Sequence, residues 1–333
     1  MLILIVIILG ASFILYALLG GADFGAGIVE SFAGKREEIT ISRAIAPVWE
    51  ANHVWLILAV VILFTGFPLV YASLSWVLHI PLMMVLLGII MRGTAFTFRH
   101  YDVHQGRLHK YYSFLFRISS FITPVFLGMI LGAMILGRIS LDRSQGFYDL
   151  FIAPWLNWFC LTMGVFTACL FAYLASVFLV GETNIERERI KYAKFSKLSM
   201  IATMILGLVV FIIAEAEGHS LTGRFLHSTP SIIMLIIAAL LCPMIWHFLN
   251  KEKNKTIYLR LGTGIQVAAI ILGWFYIQFP VLIEVKNSAE LTFYNTQAPA
   301  ATLEQLFIAL IIGLLLVIPG FVVLFRIFKI KKE

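Results

Sequence analysis

The sequence predicts an all-α, polytopic integral membrane protein of about nine transmembrane helices, N-terminus out and C-terminus in. Two observations carry the fold class. Of 333 residues, 61% are hydrophobic and only 13% are charged, against about 25% charged in an ordinary soluble domain, and the mean hydropathy is +0.95. The apolar residues are also gathered into segments long enough to cross a ~30 Å hydrocarbon core as helix. Ten prolines and 24 glycines are ordinary numbers, so neither collagen nor disorder accounts for the missing charge. A globular cytosolic enzyme is excluded.

Nine segments qualify, approximately 2–29, 47–71, 76–98, 113–137, 154–180, 197–217, 230–249, 258–281 and 304–327. The first begins at Met1 without a positive n-region or a clear small-residue cleavage site, so it reads as a retained span. The second, fourth, sixth and eighth loops carry only Arg138, Arg143, Arg224 and Lys286. Apart from Arg92 inside a span, the other twenty Lys and Arg lie in the remaining loops, their flanks and the C-terminal tail. They include Lys35, Arg36, Arg43, Arg99, Arg107, Lys110, the run Arg187–Lys197, Lys251, Lys253, Lys255, Lys329, Lys331 and Lys332. Positive loops stay cytoplasmic. The net charge of +7 is therefore a topology signal and gives no case for nucleic acid. No linker interrupts the pattern, and residues 1–333 are expected as one transmembrane helical domain, two four-helix bundles plus one extra helix. The longest outer loop, about 282–303, is expected to form a small cap. Cys160, Cys169 and Cys242 lie in apolar segments without CxxC or CxxCH spacing and read as small buried hydrophobes.

Ionisable groups inside spans each cost at least ~2.5–3.5 kcal/mol at the helix centre and need a reason. In LGGADFGAG, Asp23, Ala26, Gly27 and Glu30 share one helical face. Gly21 and Gly25 form a GxxxG pair that admits a neighbouring backbone. One reading is a packing face whose acid touches interfacial water; the other is a proton- or ion-handling acid. In APVWEANHVWLI, Pro47 suits a first helical turn and Glu50 then gains from the helix dipole. The density of Trp49, Glu50, Asn52, His53 and Trp55 argues for more, with Glu50 and His53 spaced to share a proton or a water; His53 alone is more often a satisfied buried histidine. Arg92 in IIMRGTAFTFRHY is expected at the depth of Asp23 and Glu50, either as a structural ion cluster or as a cytoplasm-facing proton entry. His79 begins the third span, and Glu215, Glu217 and His219 are expected as solvated residues ending the sixth. No histidine pair has convincing haem or metal spacing, and no phosphate-cradling motif occurs.

These motifs resemble subunit II of the cytochrome bd-type quinol oxidases over nearly the whole chain, most specifically in residues 20–101. GGADFGAG, PVWEANHVWLI, GFPLVYA and RGTAFTFRHY follow in that family's order, and LTFYNTQAPAATL resembles its final loop less closely. The resemblance implies a multi-pass protein of the bacterial cytoplasmic membrane that binds no cofactor alone. Its partner would be a haem-bearing subunit I carrying b-type haems and haem d, with quinol as substrate and O2 reduced to water. It also implies a small single-helix accessory subunit and, in some members, a structural quinone. By position, Glu50 and Asp23, with His53 beside them, would carry protons. Trp49, Asn52, Trp55 and Arg92 would support them, and Gly21, Gly25 and Gly27 would pack helices. The chain departs from the family at Gly20, where many members have Asp, and at Ala22, where many have Phe. The competing functions are a proton- or sodium-coupled secondary transporter and a purely structural scaffold.

Overall fold

The computed structural model describes residues 1–101, 107–250 and 256–330. Of the basic loop residues, Lys251, Lys253, Lys255, Lys331 and Lys332 lie outside the described residues. Fifteen α-helices are described: α1 Leu2–Leu15, α2 Gly21–Glu30, α3 Lys35–Ile45, α4 Trp49–Asn52, α5 Val54–Gly66, α6 Pro68–Val77, α7 His79–Tyr101 and α8 Arg107–Ile135; then α9 Phe147–Phe151, α10 Trp158–Val180, α11 Glu186–Ala216, α12 Leu221–His227, α13 Thr229–Phe248, α14 Thr256–Gln278 and α15 Ala300–Phe325. Among the described residues, nine helical segments are long and apolar enough to cross a membrane: Leu2–Glu30, Trp49–Gly66, His79–Arg99, Leu108–Ile135, Trp158–Val180, Glu186–Ala216, Thr229–Phe248, Thr256–Gln278 and Ala300–Phe328.

The span boundaries differ from expectation for identifiable reasons. The second span stops at Gly66 because Phe67 leaves helical geometry (φ −136°, ψ 61°) ahead of Pro68, and a residue before proline is pushed out of the α region. The remainder becomes the separate helix α6. The sixth span starts eleven residues earlier than expected, so the Arg187–Lys197 run is helical rather than loop. The fifth span begins at Trp158, capped by the Asn157 side chain, which accepts from the Cys160 N–H at 2.9 Å.

The most buried span is α10, which packs against α2, α8, α11 and α14. Small residues set these crossings. A methyl at Gly128 of α8 would lie 2.5 Å from the Met163 carbonyl oxygen, and one at Gly164 of α10 would lie 2.5 Å from that of Val125. The two backbones therefore touch. At the other side of α10, Tyr173 donates to Gln266 of α14 at 2.7 Å, and Gln266 donates to the Ala238 carbonyl of α13 at 2.9 Å. The last-span helix α15 is mostly exposed and meets α5.

The loop after α14 folds as a small antiparallel pair, β1 Val281–Ile283 and β2 Leu291–Thr292. Glu284 N–H donates to Met134 O and Lys286 N–H to Ile139 O, which ties the loop to the end of α8. Ala298 N–H donates to Gly66 O at 2.8 Å, closing it over α5.

Candidate functional site

The first span is interrupted by a π turn, Tyr16–Gly20, directly before α2. Such turns carry a register change inside a helix and are frequent at functional sites. Gly20 leaves room for the Tyr16 ring, which a methyl there would meet at 2.7 Å. The second span is also broken, at His53, between α4 and α5. These two breaks face each other. Asn52, 2% exposed, donates to Asp23 Oδ2 at 2.7 Å and reaches the Leu19 carbonyl at 3.4 Å. The His53 ring packs against Tyr16 and Phe24, with centroids at 5.9 and 6.0 Å. Asp23 and Asn52 form one wall of a cavity of about 290 Å³, with Glu182 and Arg260, an ion pair at 3.0 Å, at another and Phe325 closing it.

Arg92 of α7 is 1% exposed, and its Nε and Nη2 have no hydrogen-bond partner within the protein. Its guanidinium carbon lies 4.9 Å from the Phe24 ring and 5.2 Å from that of Phe116, a placement that offsets part of the desolvation of the cation.

A second charged layer lies at the C-terminal end of α2. Arg99, also of α7, donates to Glu30 at 2.6 Å, contacts Glu38 at 3.4 Å and donates to Ser42 at 2.8 Å. Ser113 donates to the same Glu38 oxygen at 2.7 Å, and His109 stands 3.6 Å from it. The Arg99 guanidinium lies 4.5 Å from Phe116, so one ring separates the two arginines. Nearby, buried Glu188 accepts from Thr40 at 3.0 Å and Thr183 at 2.8 Å, and exposed Lys191 pairs with Glu37 at 2.7 Å.

The expected site residues fall into four groups. Asp23, Asn52, Arg92 and His53 meet around Tyr16 and Phe24. Glu50 stands in the first turn of α4 but is exposed and makes no ion pair among the described residues. Of the expected three-member charge cluster, Asp23 and Arg92 are buried and Glu50 is not, and Tyr16 joins the buried pair. Trp49 packs on Phe96 and buried Trp55 on Phe321. A methyl at Gly21 would strike the Phe171 ring at 2.7 Å, at Gly25 the Phe171 carbonyl oxygen at 1.8 Å, and at Gly27 the Ser120 hydroxyl at 2.1 Å.

Glu217 and His219 are not simply solvated. Glu217 pairs with Arg138 at 2.9 Å, and His219 lines a cavity of about 190 Å³ with Arg224 and Glu284, themselves an ion pair. Loops that converge from three spans shield them, which spacing along the chain does not report. Burial raises the pKa of Glu284 despite Arg224. Burial first, then Arg138 and Arg224, lowers that of His219. Sequence reasoning also passed over Arg99, Glu38, Ser120 and Glu188. Arg92 and Arg99 are seven residues apart, as are Asp23 and Glu30, a matched spacing on two helices that points to both layers. Among the described residues, no three His, Cys, Asp or Glu side chains converge as a metal-ligand set.

The family model for cytochrome bd terminal oxidase subunit II matches residues 1–328. Cytochrome bd ubiquinol oxidase subunit 2 of Bacillus subtilis (strain 168) is 25% identical over 308 residues, covering 91% of this chain and 88% of that one. Cytochrome bd-I ubiquinol oxidase subunit 2 of Escherichia coli (strain K12) is 22% identical over 334 residues, covering 90% and 86%. In fold, the chain is similar to a chain of the bd oxidase from Geobacillus thermodenitrificans, with a TM-score of 0.78, 19% identity and 99% of each chain covered. The transporter alternative is not favoured by any of these. The family model's match over residues 1–328, with nine apolar spans among the described residues, shows that this chain belongs to the cytochrome bd terminal oxidase subunit II family.

Proposed function

We propose that this chain is the non-haem subunit of a complex that oxidises quinol and reduces O2 to water, and that its Asp23 site passes protons from the cytoplasm toward the reduction site. The names of the relatives support the reaction, and the basic loops support the orientation, with the C-terminus and the Arg99 layer on the cytoplasmic side of a bacterial membrane. The observation that carries the proton role is Asp23 itself. It is 4% exposed, at membrane depth, held by Asn52 at 2.7 Å on the wall of a cavity. A carboxyl in that position is expensive and serves by holding and releasing a proton.

Asn52 fixes the rotamer of Asp23, and Arg92 supplies a counter-charge that cannot itself deprotonate. His53 sits beside Asn52 with its ring against Tyr16 and Phe24, and exposed Glu50 collects protons at the head of α4. The haems, which supply electron transfer and O2 chemistry, are assigned to the partner subunit I. The histidines at the breaks of this chain are engaged in packing, His53 as described and His79 with Nδ1 2.9 Å from Trp76 O and its ring on Phe151.

The test is Asp23→Asn in the purified complex. Asn accepts the same Asn52 hydrogen bond, so assembly and the haem spectrum should persist while quinol-driven O2 consumption falls by about 10²- to 10⁴-fold, the range of a lost proton-transfer group. Full turnover would remove Asp23 from the route. Purification without a haem-bearing partner would overturn the assignment of the complex.

A further inference from the structure

We propose that Glu38, Glu30 and Ser120 form a second proton branch to Asp23 along the glycine face of α2, with Arg99 as its positioning residue. The inference rests on the proton role of Asp23 and adds residues that neither the family match nor the motif spacing assigns. It starts from buried polar atoms without partners. Glu30 is 2% exposed; Arg99 holds one of its oxygens at 2.6 Å, while Oε2 has no hydrogen-bond partner within the protein. Ser120 is 0% exposed and its Oγ is likewise unpartnered. Buried groups of this kind are normally satisfied, by water where protein does not reach.

Shared neighbours order them. Glu38 and Glu30 contact the same Arg99 Nη1, at 3.4 and 2.6 Å, which brings the two carboxylates within reach of one bridging water. Glu38 is a quarter exposed, as is His109 at 3.6 Å from it, so the outer member exchanges protons with solvent. Ser120 Oγ lies where a side chain at Gly27 would stand. Gly27 is three residues from Glu30 and four from Asp23, about 4.5 and 6 Å of helical rise. A hydroxyl both donates and accepts, so Ser120 takes a proton on one side and gives one on the other. Arg99 keeps its proton throughout and sets the geometry of both acids.

The experiment uses the assembled complex, with Ser120→Ala and Glu30→Gln each made alone and in a Glu50→Gln background, beside Asp23→Asn. Turnover is measured per haem across pH, in H2O and D2O. Ser120→Ala leaves the ion pairs and Cβ packing intact, so it remains informative if Glu30→Gln fails to assemble. The expected result is about a hundredfold loss for Ser120→Ala in the Glu50→Gln background, with a larger solvent isotope effect and a shifted pH profile. Double variants that match Glu50→Gln alone in rate, isotope effect and pH profile, while Asp23→Asn is slow, would overturn this branch and leave the Asp23 reading standing. A fast Asp23→Asn enzyme would overturn both.

Discussion

Gly25→Ala should be the most damaging small substitution in the chain. A Cβ there would lie 1.8 Å from the Phe171 carbonyl oxygen, 2.4 Å from its carbon and 2.8 Å from Ala175 Cβ. Carbon–oxygen contacts between helices normally settle near 3.3–3.6 Å, so α2 and α10 must part by roughly 1.5 Å. The obstacle is backbone and cannot swing away. Alanine would favour helix over glycine by about 1 kcal/mol, whereas overpacking costs about 1–3 kcal/mol and more where backbone must move. Separation also strips dispersion contacts, each ~0.1–0.2 kcal/mol, along the buried α2–α10 seam. The net loss is about 2–4 kcal/mol, or a Tm lower by roughly 5–10 °C at the scale of a 150–250-residue unit. The assay is thermal unfolding of the detergent-purified complex, followed by haem absorbance, with Gly264→Ala of α14 as control because a methyl there meets nothing within 4 Å. Gly25→Ala melting within a degree of the parent complex would refute the close approach of the two helices.

The Arg99 layer and the loops at the opposite end provide two further tests. Arg99→Gln strands buried Glu30 and should cost about 3–5 kcal/mol, while Arg99→Gln with Glu30→Gln should recover most of it as a neutral pair; a double variant no more stable than the single, by complex yield and Tm, would show the two are uncoupled. His219 has a pKa held below 6.5, so below that pH the unfolded chain binds its proton first and stability falls as pH drops. His219→Gln should flatten the Tm slope as pH drops through 6.5, and an unchanged slope would place the titration elsewhere. Glu284 works in the opposite direction: its raised pKa means the folded state loses stability as pH climbs above the ordinary carboxylate value of 4.5.

Depth along the membrane was legible in the sequence because hydropathy reports it directly. The nine spans followed from that. Azimuth was less legible. Glu50 and Asn52 differ by two residues, about 200° around a helix, and one is exposed while the other is buried on Asp23. With His53 breaking the helix at that point, periodicity could not tell which would turn inward. The π turn before α2 has the same effect on Tyr16, which sequence reasoning passed over. Arg99 was counted among topology-setting cations because it ends a span, yet only 5% of it is exposed.

The matched seven-residue intervals explain why the charges tolerate burial and how they can act. Asp23 and Glu30 on α2, and Arg92 and Arg99 on α7, give two acid–arginine layers about 10.5 Å apart along the helices. The Phe116 ring stands between the arginines, 5.2 Å from one and 4.5 Å from the other. Two guanidiniums at one depth would repel strongly in a low dielectric; separated by a ring face and each set against its own acid, they do not concentrate charge in one layer. The same spacing leaves an interval that no ion pair fills, and Ser120 occupies it opposite Gly27. A continuous ionic ladder would refuse the proton at each rung, since every acid would be held ionised by its own cation. A hydroxyl between two charged layers carries no such preference, and a proton that reaches Glu30 meets a neutral step before Asp23.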